Sequence, residues 1–272
     1  MIIIGEKING FIPATARAIR ERDEAYIRGM AITQAEMGAD YLDIAAGPAR
    51  DQDREQERET LEWLINIVQD AVDTPLCIDS PDPSVLLDMI PLAKKPGILN
   101  SVSEEHEKCE AVFPKIADTE WKVIALACDN KGISADAQTK FNIAAGIVEK
   151  AKSYGIGMDR LFIDPMVSAL CANGNSLLNF IQTMQTIKER YPDIHITSGL
   201  SNISFGMPHR TVINQLFLAL ALAAGMDSAI LDITSAEIRS ALYAVDALLG
   251  RDRNCRRYLN AYRKGLFGGK ND

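Results

Sequence analysis

The stretch Leu161-Phe162-Ile163-Asp164-Pro165 carries the pattern that decides the fold, a short apolar run that ends in one polar residue. Leu76-Cys77-Ile78-Asp79 and Gly97-Ile98-Leu99-Asn100 repeat it, and the segment from Ile196 to Asn202 follows it with a glycine-bearing turn. Short continuous apolar runs are typical of parallel strands that are buried on both faces. The polar residues at their carboxyl ends are therefore expected around one shared mouth, where parallel α/β folds bind ligands.

Candidate strands and helices alternate eight times along the 272 residues. Beside the four stretches above, apolar runs predict strands at 2–4, 41–44, 123–128 and 229–232. The helical patterns between the strands cover residues 23–37, 54–72, 83–93, 104–117, 137–153, 174–190, 209–224 and 235–249. Strict alternation predicts a parallel α/β fold with right-handed crossovers, and eight units predict closure into a single (β/α)8 TIM barrel. An open doubly wound sheet is the alternative, although no dinucleotide fingerprint follows the first strand.

We expect one domain over residues 1–272, because no linker or low-complexity segment interrupts the pattern. After Gly250 the chain becomes basic, and residues 251–272 are expected to form a solvated basic helix with a frayed tail.

The composition argues against a nucleic-acid-binding protein and against a membrane protein. A formal net charge of −8 argues against a nucleic-acid partner, and no apolar run is long enough to cross a membrane. The five cysteines are scattered and the three histidines stand alone, a pattern that favours reduced thiols and predicts no metal site. The chain opens without a signal-peptide pattern, so a cytoplasmic protein is expected.

Asp79, Asn100, Asp164 and Asn202 are the candidate binding residues, because they follow strands three, four, six and seven. Carboxylates and amides together offer both acceptors and donors. A flat ring that presents N–H, amino and carbonyl groups, such as a pterin, would match them. Each of the four could instead cap the helix that follows it.

Four further residues are weaker or auxiliary candidates. Gly199 would let the backbone approach a ligand closely, and Arg210 could meet a carboxylate or carbonyl or form a surface ion pair. Asp43 ends its strand in less distinctive surroundings but could line the floor of the pocket, and Asp129, after the fifth strand, is an intermediate candidate.

Several motifs in this order resemble those of a known family. They are Gly5-Glu6-Lys7-Ile8-Asn9-Gly10, Cys77-Ile78-Asp79-Ser80, Leu99-Asn100-Ser101, Phe162-Ile163-Asp164-Pro165 and Gly199-Leu200-Ser201-Asn202-Ile203-Ser204. Together they resemble the pterin-binding methyltransferases, most closely the methyltetrahydrofolate:corrinoid/iron–sulfur protein methyltransferases, from residue 2 to about residue 249. The resemblance implies a homodimeric barrel that moves a methyl group between N5 of tetrahydrofolate and the cobalt of a corrinoid (cobalamin) on a partner protein.

The resemblance also implies roles for the candidate residues. Asp79, Asn100 and Asp164 would hold the pterin, Asn202 would face N5 as the catalytic group, and Arg210 would help to bind folate or to order its loop. Ala45 departs from the family, whose members often carry Asn at that position.

Two alternatives stay open at this point. A dihydropteroate synthase-like enzyme would need a phosphate-gripping loop that residues 45–50 do not provide. A non-catalytic folate-binding subunit of a methyl-transfer complex would be consistent with the departure at Ala45.

Overall fold

The computed structural model describes residues 1–48 and 54–268, and they form a ring of eight parallel strands. Neighbouring strands pair in sequence order, and β1 also pairs with β8. Between β7 and β8 a parallel bridge joins Gly199 to Ile230, so the ring closes and the predicted (β/α)8 barrel is confirmed. The strands are β1 (Ile2–Asn9), β2 (Tyr41–Ala45), β3 (Leu76–Asp79), β4 (Ile98–Glu104), β5 (Lys122–Asp129), β6 (Leu161–Asp164), β7 (His195–Ile196) and β8 (Ser228–Leu231).

Helices surround the barrel and agree with the predicted positions to within a few residues, apart from one helix that was not predicted. That helix, α1, is only nine residues long, and the residues it buries are the small Thr15 and Ala18, so the sequence shows no long apolar run there. None of the described helices is long and apolar enough to cross a membrane. The helices are α1 (Pro13–Glu21), α2 (Glu24–Glu36), α3 (Arg54–Ala71), α4 (Pro83–Met89), α5 (Lys108–Ile116), α6 (Ala137–Ser153), α7 (Ser176–Arg190), α8 (Arg210–Ala224), α9 (Ala236–Leu248) and α10 (Arg256–Arg263).

The barrel interior holds an apolar layer of its own, separate from the larger core between the strands and helices. Its members are fully or almost fully buried: Ile4, Cys77, Ile98, Ile124 and Phe162. Because side chains alternate along a strand, the residue two positions later on each strand shares the same face. Toward the carboxyl ends of the strands, those residues are Glu6, Asp79, Asn100, Leu126 and Asp164. The interior therefore changes from apolar to mainly acidic as the mouth is approached.

Two strand boundaries differ from the sequence prediction. β4 does not end at Asn100 but continues to Glu104, with a shift of pairing register between Asn100 and Val102. Asn100 therefore reaches the barrel mouth from inside a strand. β7 is only two residues long, because the chain leaves the regular pairing before it reaches the turn at Gly199.

The end of the chain packs against the barrel more than the predicted solvated tail would. The Phe267 ring lies 5.0 Å from the Tyr258 ring and 5.7 Å from the Tyr243 ring, measured between ring centroids. Arg239, which is buried, donates to the Leu266 carbonyl at 3.0 Å. The predicted basic helix is α10, but aromatic packing and this hydrogen bond attach the segment after it to α9. Residues 269–272 lie outside the described residues.

Candidate active site

A cavity of about 960 Å³ opens at the carboxyl ends of the first strands. The loops that follow β1, β2, β3 and β4 surround it, and Asp79 lies on its wall. Ala45 stands next to Asp79 in the strand register, and its small side chain leaves the space beside that carboxyl group open. The volume falls in the range of sites that enclose an organic ligand of several rings.

Asp79 is partly buried, as is Glu6, whereas Asp164 is buried. The residues that the structure describes, 1–48 and 54–268, donate no hydrogen bond to the Asp79 carboxylate. Burial raises its pKa well above the usual value, and the nearby Asp43 and Glu57 carboxyls raise it further. A buried carboxylate without donors is costly. The position is therefore suited to a ligand that presents N–H groups to it.

Asp43 lies inside the barrel below Asp79, because it pairs with Cys77 in the strand register. It is not among the residues that line the cavity, so its role in the floor of the pocket stays a prediction. Its side chain is buried and accepts a hydrogen bond from the Asn100 amide, with 3.3 Å between Nδ2 and Oδ1. The Cys77 thiol and the Asn9 amide also donate to it. Burial raises the pKa of Asp43 to about 6, although these three donors act in the opposite direction. Asp43 therefore uses its acceptors within the protein and fixes the orientation of Asn100.

A second polar group lies across the mouth on β6 and the turn after β7. The buried Asp164 carboxylate accepts from the Met166 backbone N–H at 2.7 Å and from the Gly199 backbone N–H. Burial raises the pKa of Asp164 to about 6. A Cβ atom on Gly199 would lie 2.9 Å from Nδ2 of Asn202. Glycine at position 199 thus leaves room for the Asn202 amide to fold back beside the carboxyl end of β7, next to Asp164.

The loop that carries Asn202 is a short 3-10 helix, Leu200–Ser204, and Arg210 holds it. The Arg210 guanidinium donates to the Ser204 hydroxyl at 3.0 Å and to the Ser201 carbonyl at 2.7 Å. These bonds favour the loop-ordering role over direct binding. No hydrogen bond within the described residues involves the side-chain amide of Asn202, which is exposed.

The helix-cap interpretation is wrong for the four principal candidates. The residue before α4 is Asp82, whose carboxylate accepts from the Ser84 backbone N–H. Helices α5, α7 and α8 begin after Glu107, Asn175 and His209. Asp129, by contrast, has a local structural role, because its carboxylate accepts from the Lys131 backbone N–H at 2.8 Å and closes a turn.

The sequence interpretation missed several residues of the mouth. It ended β1 at Ile4, whereas the strand continues to Asn9 and brings the Glu6 side chain into the upper layer. Glu6 accepts from the Ser201 hydroxyl at 3.2 Å, and burial together with Asp232 raises its pKa to about 7. The alternation Ile2, Ile4, Glu6 would have revealed this residue.

Two other missed residues reach the mouth from helices. Glu57 on α3 lines the cavity and accepts from the Ser80 hydroxyl at 2.6 Å, and Lys140 on α6 lies near Asp164. No sequence signal marks them, because charged helix residues usually face solvent. In residues 1–48 and 54–268, no group of three or more His, Cys, Asp or Glu side chains is arranged to hold a metal ion.

The acidic mouth predicts an unusual pH dependence for the stability of the free protein. The carboxyls of Glu6, Asp43 and Asp164 have pKa values of about 7, 6 and 6 in the folded chain, against about 4 in an unfolded chain. The folded state therefore binds more protons between those values, so stability should fall as pH rises from about 5 to about 7.5. Surface carboxyls with a lowered pKa, such as Asp136, are ionised in both states across this window.

Thermal unfolding of the ligand-free protein at the two pH values tests this prediction. We expect the midpoint at pH about 7.5 to be several degrees lower than at pH about 5, and we expect Asp164→Asn to reduce the difference. An equal or higher midpoint at the upper pH would contradict the assignment of buried, proton-binding carboxyls.

Residues 16–232 match the family model described as pterin binding enzyme. The chain is 51% identical over 270 residues to the methylcorrinoid:tetrahydrofolate methyltransferase of Eubacterium limosum, covering 98% of each chain. It is also 30% identical over 168 residues to the methionine synthase of Mycobacterium tuberculosis, a match that covers 57% of this chain and 14% of that protein.

Solved structures resemble the barrel at low sequence identity. The dihydropteroate synthase of Xanthomonas albilineans with 4-aminobenzoic acid has a TM-score of 0.66 and 20% identity, and the match covers 93% of this chain and 92% of that one. The Yersinia pestis enzyme has a TM-score of 0.67 and 16% identity, covering 92% and 94%. These structures support the fold, and the family match and the Eubacterium limosum relative show the membership: the chain belongs to the family of pterin binding enzymes.

Proposed function

We propose that this protein is a methyltransferase that moves a methyl group between a corrinoid carried by a partner protein and N5 of tetrahydrofolate. The Asp79 carboxylate is the observation that supports pterin binding, because it lies on the cavity wall without a donor from the described residues. The 51% identity to a methylcorrinoid:tetrahydrofolate methyltransferase over 98% of the chain supports a corrinoid as the second reactant.

The mouth has the acceptors that a pterin requires. The amino-pyrimidinone edge of a pterin presents N–H donors beside a carbonyl acceptor. In the proposal, Asp79 and Asp164 accept from the N–H groups, while Asn100, held by Asp43, offers an amide to the same edge. Each buried donor left without a partner would cost ~1–3 kcal/mol, so these side chains would select a pterin over a ring with fewer donors.

Asn202 is the residue that we assign to N5. Its amide can accept from an N5–H group or donate to electron density on N5, and Arg210 orders the loop that presents it. When tetrahydrofolate accepts the methyl group, the N5 lone pair forms the new N–C bond, the carbon–cobalt bond breaks and cobalt keeps its electron pair. The N5 proton then passes to solvent. Asn202 would orient the lone pair toward the methyl group and stabilise the charge that develops on N5.

The direction of transfer follows the Eubacterium limosum relative, whose name gives methylcorrinoid as the donor and tetrahydrofolate as the acceptor. We propose the same direction here, with the corrinoid protein as the partner. Dihydropteroate synthase activity is the weaker candidate, because its supporting structures share less than 25% identity and therefore bear on the fold alone. Of the phosphate-loop residues considered above, Ala49 and Arg50 lie outside the described residues.

We also propose that two copies associate through α8. The side chains of Val212, Leu216 and Leu220 are 44%, 59% and 49% exposed and recur every four residues, which places them on one face of the helix. An exposed apolar stripe of this kind is typical of a protein interface. We further propose that the protein works in the cytoplasm, a compartment suited to its five free thiols.

Replacing Asn202 tests the catalytic assignment. Asn202→Ala should lower the rate of methyl transfer from methylcobalamin to tetrahydrofolate by ~100-fold, the scale of losing one donor or acceptor that acts in the transition state. Absorbance changes of the corrinoid report the reaction directly. Asn142→Ala, on the exposed face of α6, is the matched control and should leave the rate unchanged.

Two outcomes would contradict the catalytic role of Asn202 or the activity itself. An unchanged rate in Asn202→Ala would remove that residue from the reaction. Tetrahydrofolate binding by the wild-type protein without any methyl transfer would instead favour the non-catalytic subunit.

Replacing Asp79 should change stability and binding in opposite directions. Asp79→Asn removes a carboxyl whose ionised form is disfavoured by burial and has no donor from the described residues, so the free protein should unfold at a higher temperature near pH 7. The same change replaces an acceptor with an amide, and calorimetry should show at least a tenfold loss of tetrahydrofolate affinity, equivalent to ~1.4 kcal/mol. Asp118→Asn, on the surface, should change neither. Wild-type affinity in Asp79→Asn would exclude this residue from the pterin site.

Replacing Leu216 tests the proposed dimer. Leu216→Glu places a charge in the centre of the apolar stripe and should shift the protein from dimer to monomer in analytical ultracentrifugation. Leu178→Glu, at an equally exposed leucine on α7, is the control and should remain dimeric. A monomeric wild-type protein, or a dimeric Leu216→Glu variant, would contradict the assignment of this interface.

A further inference from the structure

Lys140 is a buried lysine at the edge of the site. Its side chain is 2% exposed, and it extends from the first turn of α6 to donate to the Met166 carbonyl at 2.6 Å. Met166 has a left-handed backbone, with φ of 59°. The backbone N–H of the same residue donates to Asp164. A single turn thus joins the buried ammonium to the buried carboxylate.

Several costs oppose placing a lysine here. Burial removes the ammonium from water, and a cation near the beginning of a helix opposes the helix dipole. The left-handed conformation of Met166 adds backbone strain to the turn that accepts this hydrogen bond. A neutral apolar side chain would avoid the first two costs. The arrangement therefore indicates that the charge and the hydrogen bond serve Asp164 and its turn.

We propose that Lys140 is a positioning residue for Asp164: its ammonium holds the turn that orients this carboxylate and supplies the positive charge that keeps it ionised toward the pterin. The inference rests on the proposed function for the identity of the ligand. With Glu57 on α3, it makes Lys140 the second helix residue of a site built mainly from the barrel strands and the loops that follow them.

The electrostatic surroundings of Asp164 support this role. Among the described residues, the ionisable groups that interact with it are Lys140 on α6 and the Cys128 thiol on β5; the β7 side supplies the Gly199 N–H. Burial raises the pKa of Cys128 to about 11, so its thiol is neutral near pH 7. Burial raises the pKa of Asp164 to about 6, although the Met166 and Gly199 N–H groups and then the Lys140 ammonium act to lower it. Lys140 is thus the positive charge that acts on Asp164 from the described residues.

The Lys140 ammonium favours the ionised form of the Asp164 carboxyl. Without the ammonium, the pKa of Asp164 should rise further above its ordinary value. A larger fraction of the carboxyl groups would then be protonated near pH 7 and could not accept from two ring N–H groups. Raising the pH should restore the acceptor and with it the affinity for tetrahydrofolate.

Charge and turn geometry can be separated by three variants. Lys140→Met removes the charge and keeps most of the side-chain length, whereas Lys140→Arg keeps the charge. Lys140→Met combined with Met166→Gly removes the charge but relieves the left-handed backbone. Lys152→Met, at an exposed position of the same helix, is the matched control. Lys140→Gln replaces Lys140→Met if the latter does not fold.

The first measurement is independent of the ligand. Carbon-13 NMR follows the titration of the Asp164 carboxyl, which is assigned by its loss in Asp164→Asn. We expect the titration midpoint to rise by about one pH unit or more in Lys140→Met and in the double variant, and to stay near the wild-type value in Lys140→Arg and Lys152→Met. Thermal unfolding should show that the double variant is more stable than Lys140→Met alone, because glycine at position 166 relieves the left-handed backbone.

The second measurement is calorimetry of tetrahydrofolate binding between pH about 6 and 8.5. For a rise of about one pH unit, Lys140→Met should lose affinity about twofold near pH 7, and more for a larger rise; it should recover toward the wild-type value at the upper end. An unchanged Asp164 midpoint, or an affinity reduced by the same factor at every pH, would overturn the proposal. If the wild-type protein does not bind tetrahydrofolate, the proposed function fails, while the NMR titration still decides the role of Lys140.

Discussion

Burial of carboxyl groups at the barrel mouth is the constraint on which this structure depends. Glu6, Asp43, Asp79 and Asp164 all have a raised pKa, and burial is the largest cause in each case. Asp43 receives three side-chain donors and Asp164 two backbone donors, whereas the described residues give Asp79 none. An acidic layer of this kind lowers the stability of the free protein at neutral pH. A ligand with several N–H groups would relieve that cost, which explains how a site that weakens the fold can favour a pterin.

The barrel creates this layer by simple alternation. Apolar side chains fill the interior at Ile4, Cys77, Ile98 and Phe162, and the residue two positions later on each strand is polar. The apolar layer closes the bottom of the site, so the polar groups above it have one open side, toward the mouth. Loops and helices then add what the strands cannot supply. Arg210 fixes the loop that carries Asn202, and Lys140 holds the turn beside Asp164.

Much of this could be predicted from the sequence, because buried strands and amphipathic helices have strong periodic patterns. Asp79, Asn100 and Asp164 were identified because each follows an apolar run, and the structure brings their strands to one mouth. Three features could not be read in this way. Asn100 lies within β4 because a register shift extends the strand, and register shifts leave no simple pattern. The helix α1 is short, and the residues it buries, Thr15 and Ala18, are small. Lys140 and Glu57 reach the mouth from helices, where a charged residue normally indicates solvent.

We infer that pterin N–H groups donate to the acidic layer and thereby favour its ionised form. Calorimetry of tetrahydrofolate binding near pH 6.5, repeated in buffers of different ionisation enthalpy, measures this directly by counting the protons exchanged on binding. Carboxyls that are partly protonated in the free protein should lose protons when ring N–H groups donate to them. We expect tetrahydrofolate binding to release protons into the buffer. Binding with no dependence on the buffer, or with net uptake of protons, would contradict it.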